Sequence, residues 1–274
     1  MNCGYPISIF QGPKKSNVPC GQCMNCRINK KRMWTGRILL ENQYSALPGS
    51  FVTLTYNNDS LPDGHICPGG TLDPEDTRKW LMRLRKRLSV KLRYFLVGEY
   101  GSKSERAHYH AMIFGIPPET LEPLIKKTWP DETGYTKVGT ITRASAQYVA
   151  HYTTKKLTDH DSVHLHGRYP EFARMSKSPP LGYPGALYLL GIYQSSQGIK
   201  ALAEYKDVAA TMRLDGKVYP ISRYWRDWLR DRLGIPQESR AGNHEITLEE
   251  QEYATQKADK SWRQRHRRVT HSTI

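Results

Sequence analysis

The 274-residue chain contains no run approaching the roughly 18 consecutive apolar residues that a membrane span needs. A membrane is therefore not expected among its partners. Its first residues, MNCGYPISIFQGPKK, have too short an apolar run for a signal peptide. Cysteine is scarce and odd in number, five in all, with no secretion signal beside it. A disulfide scaffold is not expected, and a reducing cytoplasm is the expected location. Solenoid-period repeats and low-complexity tracts are absent. So is a phosphate-binding loop of the form GxxxxGK[ST], which leaves any DNA unwinding to another protein. Acidic residues are few: 26 Asp and Glu face 41 Lys and Arg, a net charge of +15. A surplus of that size points to a polyanionic partner rather than to solubility alone. Apolar residues make up only 38%, but 17 Tyr, 6 Trp and 5 Phe suffice for a core, so a wholly disordered basic tail is excluded.

The pattern along the chain is α+β. Residues 1–19 read as irregular, and a helix is expected from about Cys23 to Ala46, with Ile28, Met33, Trp34, Ile38 and Tyr44 as its apolar stripe. Pro48-Gly49 stops it. Phe51 to Tyr56, FVTLTY, is β-branched and aromatic, hence a strand; Asn57 to Gly70 is loop. Asp73-Pro74 caps a helix that runs to about Ser89, with Trp80, Leu81, Leu84 and Leu88 on one face. Strands follow at Arg93 to Tyr100 and His108 to Phe114, joined by the loop 101–107. A helix at Pro117 to Trp129, a strand at Tyr135 to Thr142 and a helix at Ala144 to Leu157 complete the order. Residues 50–157 thus read β-α-β-β-α-β-α, an antiparallel or mixed sheet with helices on one or both faces. Beyond residue 158 only two helices are legible, near 219–233 and 247–268, the latter polar and basic.

His108 and His110 are two residues apart in the strand HYHAMIF, so both imidazoles point to one face. If the loop 101–107 closes a hairpin, Tyr100 pairs with Ala107 and Glu99 falls opposite His108 on that face. Two imidazoles and one carboxylate suit Mg²⁺, Mn²⁺ or another first-row ion. A bare His-x-His pair is more often structural, but Glu99 beside apolar strand residues would be costly without a partner. In the helix AQYVAHYTTKKL, Tyr148 and Tyr152 are i and i+4 and share a face. Lys155 falls within roughly 20° of the Tyr148 direction. Two phenols and an ammonium on one stripe can attack and steady a phosphodiester. Only about one free phenol in a thousand is ionised at pH 7, and a neighbouring cation favours the phenolate. The same stripe also fits plain core packing.

Cys20, Cys23 and Cys26 are spaced C-x₂-C-x₂-C, and Cys3 offers a fourth thiol. Four thiolates would make a structural Zn²⁺ site. An iron–sulfur cluster is the rival, although the ferredoxin continuation is absent because Arg27 to Met33 holds no cysteine. Reduced, unliganded thiols are the third reading, and Cys67 is left over as a loop residue. Arg78, Lys79, Arg83, Arg85, Lys86, Arg87 and Arg93 form a basic helix flank and strand start that could follow a phosphate backbone, with aromatic rings stacking on unpaired bases.

Taken in order, FVTLTY, GEYG…HYHAMIF and YVAHYTTKK resemble the three motifs of the HUH endonucleases that initiate rolling-circle replication. The paired tyrosines resemble the two-tyrosine members from small single-stranded DNA phages. The opening CGQCMNCR looks like the replication initiators of gokushovirus-type microviruses. The resemblance covers about residues 1–180. It implies an RRM-like, ferredoxin-like sheet of five antiparallel strands, with the histidine pair on a central strand and helices packed on the sheet. It also implies Glu99 as third metal ligand, Tyr148 and Tyr152 as nucleophiles, Lys155 as their accompanying lysine, and Mg²⁺ or Mn²⁺ as cofactor. One departure is His151, which stands where the family usually has lysine and is left unassigned. The implied partners are single-stranded origin DNA and the host polymerase and helicase, in the host cell cytoplasm. The expected organisation is a Cys-rich segment and helix over 1–49 that join the catalytic domain, a nicking domain over 50–180, and a basic, mainly helical extension over 181–274. Rival readings are a non-catalytic, zinc-containing nucleic-acid-binding protein and another HUH enzyme, a transposase or relaxase. Relaxases usually present three histidines and a nucleophile near the N-terminus, which disfavours that reading here.

Overall fold

Side chains on a strand alternate between faces, and this chain uses both faces of one sheet. The computed structural model describes residues 3–11, 14–62, 69–101, 104–153 and 165–236. A hairpin of β1 (Ile7–Gln11) and β2 (Lys14–Val18) comes first, then the long helix α1 (Met24–Gln43). Next are β3 (Ser50–Thr55), α2 (Pro74–Arg85), β4 (Arg93–Tyr100), β5 (Ala107–Phe114), α3 (Pro118–Thr128), β6 (Thr136–Thr140) and α4 (Arg143–Tyr152). The chain continues through β7 (Phe172–Met175), α5 (Tyr183–Gln194), α6 (Ser196–Tyr205), the hairpin β8 (Thr211–Leu214) and β9 (Lys217–Pro220), and α7 (Arg223–Arg232). Five strands form one sheet in the order β6-β3-β5-β4-β7, every neighbouring pair antiparallel. β5 is the middle strand, and the α+β architecture is the expected one.

One face of the sheet carries Val52, Leu54, Leu96, Tyr109, Ala111 and Ile113, packed beneath Trp80, Leu81 and Leu84 of α2 and Leu121 and Ile125 of α3. Asp73 accepts from the Glu75 N–H at 2.7 Å, and Pro74 stands in the first turn, which fixes where α2 starts. Tyr109 Oη accepts from the Asp73 N–H at 2.7 Å and meets Tyr56 Oη at 2.8 Å, so this buried phenol is fully satisfied where it ties β5 to α2. The opposite face carries Phe95, Val97, Met112 and Phe114 under Ile38, Leu39 and Leu40 of α1 and Ala146, Val149 and Ala150 of α4. Thr142 and Ser145 form a reciprocal capping box at the start of α4, so the tyrosine helix begins at a fixed point.

Several expectations need correction. Residues 7–18 form a hairpin rather than an irregular segment. α1 buries Thr35, Gly36, Ile38, Leu39 and Leu40, whereas Ile28 and Met33 are only half-buried. The expected stripe is displaced because α1 packs on α4, α5 and β9 as well as on the sheet. At Gly36 a Cβ would lie 2.9 Å from that of Tyr219, so only glycine lets β9 come this close. α2 ends at Arg85, not near Ser89. β7, α5, α6 and the β8–β9 hairpin were not foreseen, and residues 217–220 are strand ahead of α7 rather than helix. Trp225 of α7 and Ala186 of α5 enter the same core as α1 and α4. The helix expected at 247–268, the end of the helix expected over 144–157, and Cys67 lie outside the described residues.

Candidate metal and nucleophile site

Register places the first three groups. Glu99 of β4 pairs with His108 of β5, Tyr100 with Ala107, and His110 stands opposite Val97 on one side and Thr53 of β3 on the other. Glu99, His108 and His110 therefore share the α1–α4 face, and their ligand atoms all lie within 4.8 Å of one another. Glu99 Oε1 is 2.8 Å from His108 Nε2 and 2.9 Å from His110 Nε2.

The far side of each ring is also held. His108 Nδ1 is 3.0 Å from the Arg106 carbonyl oxygen. A carbonyl only accepts, so Nδ1 carries the hydrogen and Nε2 is the atom left for the site. His110 Nδ1 is 3.0 Å from Thr53 Oγ1, a hydroxyl that can serve either tautomer. The Phe51 ring stacks on His110 with centroids 5.2 Å apart and planes at 12°. Such outer partners are what orient metal-ligating imidazoles.

Glu99 is fully buried. Burial pushes its carboxyl pKa up, but hydrogen bonds from His108, His110 and Tyr148 outweigh burial and hold it down at about 2. For His108, burial favours the neutral ring, while Glu99 and the Arg106 carbonyl favour the cation and raise its pKa overall. Oε1 takes all the contacts. Glu99 Oε2 is buried with no hydrogen-bond partner among the described residues. A buried ionised oxygen without a partner is costly, and a cation beside two Nε2 lone pairs would satisfy it. The donor set thus fits a divalent ion.

α4 brings the phenols to this carboxylate. Tyr148 Oη donates to Glu99 Oε1 at 2.5 Å, and Tyr152 Oη donates to Tyr148 Oη at 3.1 Å. The Tyr148 ring stands edge-on to His110, with centroids 5.2 Å apart. Burial, then the negative charge of Glu99, pushes the Tyr148 phenol well above its usual pKa. His151 is exposed beside Tyr152, with ring centroids 6.1 Å apart. Lys155, the remaining expected member, lies outside the described residues.

Among the basic residues of 78–93, the structure separates two kinds. Lys79, Arg85, Lys86 and Arg87 are exposed, but α2 packs on the sheet face opposite the histidines. Arg93 is taken inward: it pairs with buried Glu41 and donates to the Pro179 carbonyl at 2.6 Å, so it is not available to a phosphate backbone. Cys3, Cys20, Cys23 and Cys26 are brought together as a second group able to hold a metal. Two residues escaped the sequence reading. Thr53 was findable, since period two puts it on the histidine face of FVTLTY. Glu171 was not. It is buried, accepts from the Tyr100 N–H at 3.2 Å and raises the pKa of both His108 and Tyr148, yet it precedes a four-residue strand with no legible alternation.

Residues 49–157, which run from the start of β3 through α4 and contain all five site residues seen here, match the family model for the phage replication-associated protein ORF2. Over this segment the chain belongs to that family. It is 34% identical over 201 residues to replication-associated protein ORF2 of Spiroplasma virus 4, covering 67% of this chain and 59% of that one. It is 27% identical over 239 residues to replication-associated protein VP4 of Bdellovibrio phage phiMH2K, covering 77% and 67% of the two chains. It is 28% identical over 238 residues to replication-associated protein ORF4 of Chlamydia phage 1, covering 78% and 53%. The match thus spans a little over half of the Spiroplasma and Chlamydia relatives. No helix among the described residues is long and apolar enough to cross a membrane.

Proposed function

We propose that this chain is a metal-dependent endonuclease and strand transferase of rolling-circle replication, acting on single-stranded origin DNA in the host cell. The observation that carries this reading is the direct contact of Tyr148 with Glu99, which itself touches both histidines, with Tyr152 one hydrogen bond behind. A structural histidine pair gives no reason for two phenols to line up on its carboxylate.

Glu99, His108 and His110 would hold Mg²⁺ or Mn²⁺, which when bound would polarise the scissile phosphate and offset charge developing on its oxygens. The phenol of one tyrosine gives up its proton and its oxygen attacks phosphorus. The bond from phosphorus to the 3′ oxygen breaks, leaving a 5′-phosphotyrosine and a free 3′-OH. The phosphodiester energy is kept in the new ester, so resealing needs no ATP. The 3′-OH is a primer for the host polymerase, and with no phosphate-binding loop in the sequence the unwinding falls to a host helicase. After one round the second tyrosine cuts the regenerated origin, and the 3′-OH it releases attacks the first phosphotyrosine. A single-stranded circle leaves, and the first phenol is restored. Lys155, three residues beyond Tyr152, would favour the phenolate. Residues 50–180 carry this chemistry, residues 1–49 complete the catalytic unit through α1, and residues 181–274 form the basic, mainly helical extension.

The test is a cleavage assay on single-stranded oligonucleotides tiling the cognate genome, with Mn²⁺ or Mg²⁺. A protein–DNA adduct that survives SDS, disappears with EDTA and is absent from the Tyr148→Phe/Tyr152→Phe double variant is expected. Tight DNA binding without any adduct across the tiled genome would overturn the reading in favour of a binding module.

A further inference from the structure

Four cysteine sulfurs converge at the N-terminal end of α1, apart from the histidine site. Cys3 Sγ lies 3.5 Å from Cys20 Sγ and 3.9 Å from Cys23 Sγ, and Cys20 Sγ lies 4.0 Å from Cys26 Sγ. All four fall within 4.8 Å of one another, and all four are free thiols. A tetrahedral ion with metal–sulfur bonds of about 2.3 Å spaces its ligands about 3.8 Å apart. We propose that Cys3, Cys20, Cys23 and Cys26 hold one structural Zn²⁺ that clasps the β1–β2 hairpin to the start of α1. This inference is independent of the nicking function.

Three features support it. The first is spacing: a four-iron cluster attaches each thiolate to a different iron and spreads them wider than one ion does, so this tight group favours a mononuclear site. The second is the polar shell. The backbone N–H groups of Tyr5 and Cys20 point at Cys3 Sγ from 3.4 and 3.3 Å, and that of Cys23 points at Cys20 Sγ from 3.3 Å. Amide donors aimed at sulfur stabilise thiolates more than thiols. The third is the helix end. α1 is twenty residues long, yet its N-cap Cys23 makes no side-chain capping bond and its first turn has no acidic residue. Thiolates of Cys23 and Cys26 at this end supply the negative charge that the helix dipole favours. Gly21 adopts φ +74 between the first two ligands of the C-x₂-C turn, a conformation in which a side chain would be strained. On binding, each thiol releases its proton and no electron moves.

The clasp has a defined reach. Cys3 precedes β1 and Cys20 follows β2, so the ion would close the hairpin at its open end and join it to α1. The other end of α1 enters the core that holds α4.

The experiment uses the full chain purified under reducing conditions. Metal analysis after dialysis against EDTA should find about one zinc per chain. Thiol titration of the native protein should show the four cluster thiols masked, and a mercurial should release the zinc and expose them together. Cobalt exchanged into the site should give sulfur-to-cobalt charge-transfer absorption and the strong visible bands of a tetrahedral thiolate complex. Cys23→Ser with Cys26→Ser should lose the retained zinc. His108→Ala with His110→Ala should keep both zinc and cobalt spectrum, which separates the two sites even where the cysteine variant fails to fold. Four freely reactive thiols in folded, metal-free protein would overturn the proposal. So would iron in place of zinc, or cobalt bands lost with the histidines instead of the cysteines.

Discussion

Replacing Thr53 by valine removes one atom from the candidate metal site without touching a ligand. Thr53 Oγ1 lies 3.0 Å from His110 Nδ1, and the substitution keeps the side chain's shape. For Nε2 to offer its lone pair, Nδ1 must carry the hydrogen, and the hydroxyl is its acceptor. Valine leaves that N–H unpaired and frees the ring to choose the other tautomer. Loss of such an outer partner typically weakens metal binding about 10–100-fold, or about 1.4–2.7 kcal/mol. Phe51 still stacks on the ring and fixes its plane, so the expected loss is near the lower end, about tenfold. The unpaired N–H should also lower folding stability by about 1–3 kcal/mol. Mn²⁺ titration by calorimetry or electron paramagnetic resonance measures the affinity, and urea unfolding measures the stability. Thr55→Val is the control, because Thr55 donates to the Tyr135 carbonyl at 3.1 Å and not to a histidine. Unchanged Mn²⁺ affinity in Thr53→Val, or equal weakening in Thr55→Val, would refute the reasoning.

Three further outcomes are expected. Glu99→Gln should abolish Mn²⁺ binding while leaving DNA binding in place, read by calorimetry and filter binding, because the amide has no charge to offer beside two imidazoles. Trp80→Ala, on the opposite face of the sheet, should cost about 3–5 kcal/mol in urea unfolding and leave Mn²⁺ affinity in the folded protein unchanged. The third concerns acid. Burial raises the Asp207 pKa, but hydrogen bonds from Arg230, at 2.8 and 2.6 Å, and from the Val208 N–H prevail and set it below the ordinary 3.8. A carboxyl whose folded pKa is depressed stabilises the fold fully above its unfolded pKa and loses that contribution as pH falls through the folded value. The stability gap between wild type and Asp207→Asn should therefore be constant above about pH 5 and close below about pH 4.

Legibility followed the range of the interactions. The β3–α2–β4–β5 stretch could be read because each element faces the core with one simple period, and because Asp73-Pro74 and Pro48-Gly49 punctuate it. Pairing Tyr100 with Ala107 from hairpin geometry put Glu99 opposite His108, as the structure has it. α5, YPGALYLLGIYQ, was not legible because it is apolar all round, and a helix without a polar face has no readable period. β7 and the β8–β9 hairpin are four residues per strand, too short for alternation to stand out. The β1–β2 hairpin was missed because its strand β2, KKSNV, is nearly all polar. At the site, i and i+4 spacing predicted that the tyrosines share a face. Their distance to Glu99 depends on how α4 crosses the sheet, which local pattern does not encode.

The central claim is that a tyrosine of α4 becomes covalently joined to DNA. Reaction with a cleavable oligonucleotide in Mn²⁺, followed by proteolysis, nuclease trimming and tandem mass spectrometry, reads the site of attachment directly. The account predicts a phosphonucleotide on Tyr148 or Tyr152, with attachment shifting to the remaining phenol in each single phenylalanine variant. Attachment at any other residue, or cleavage that proceeds at the wild-type rate in the double variant without an adduct, would contradict it.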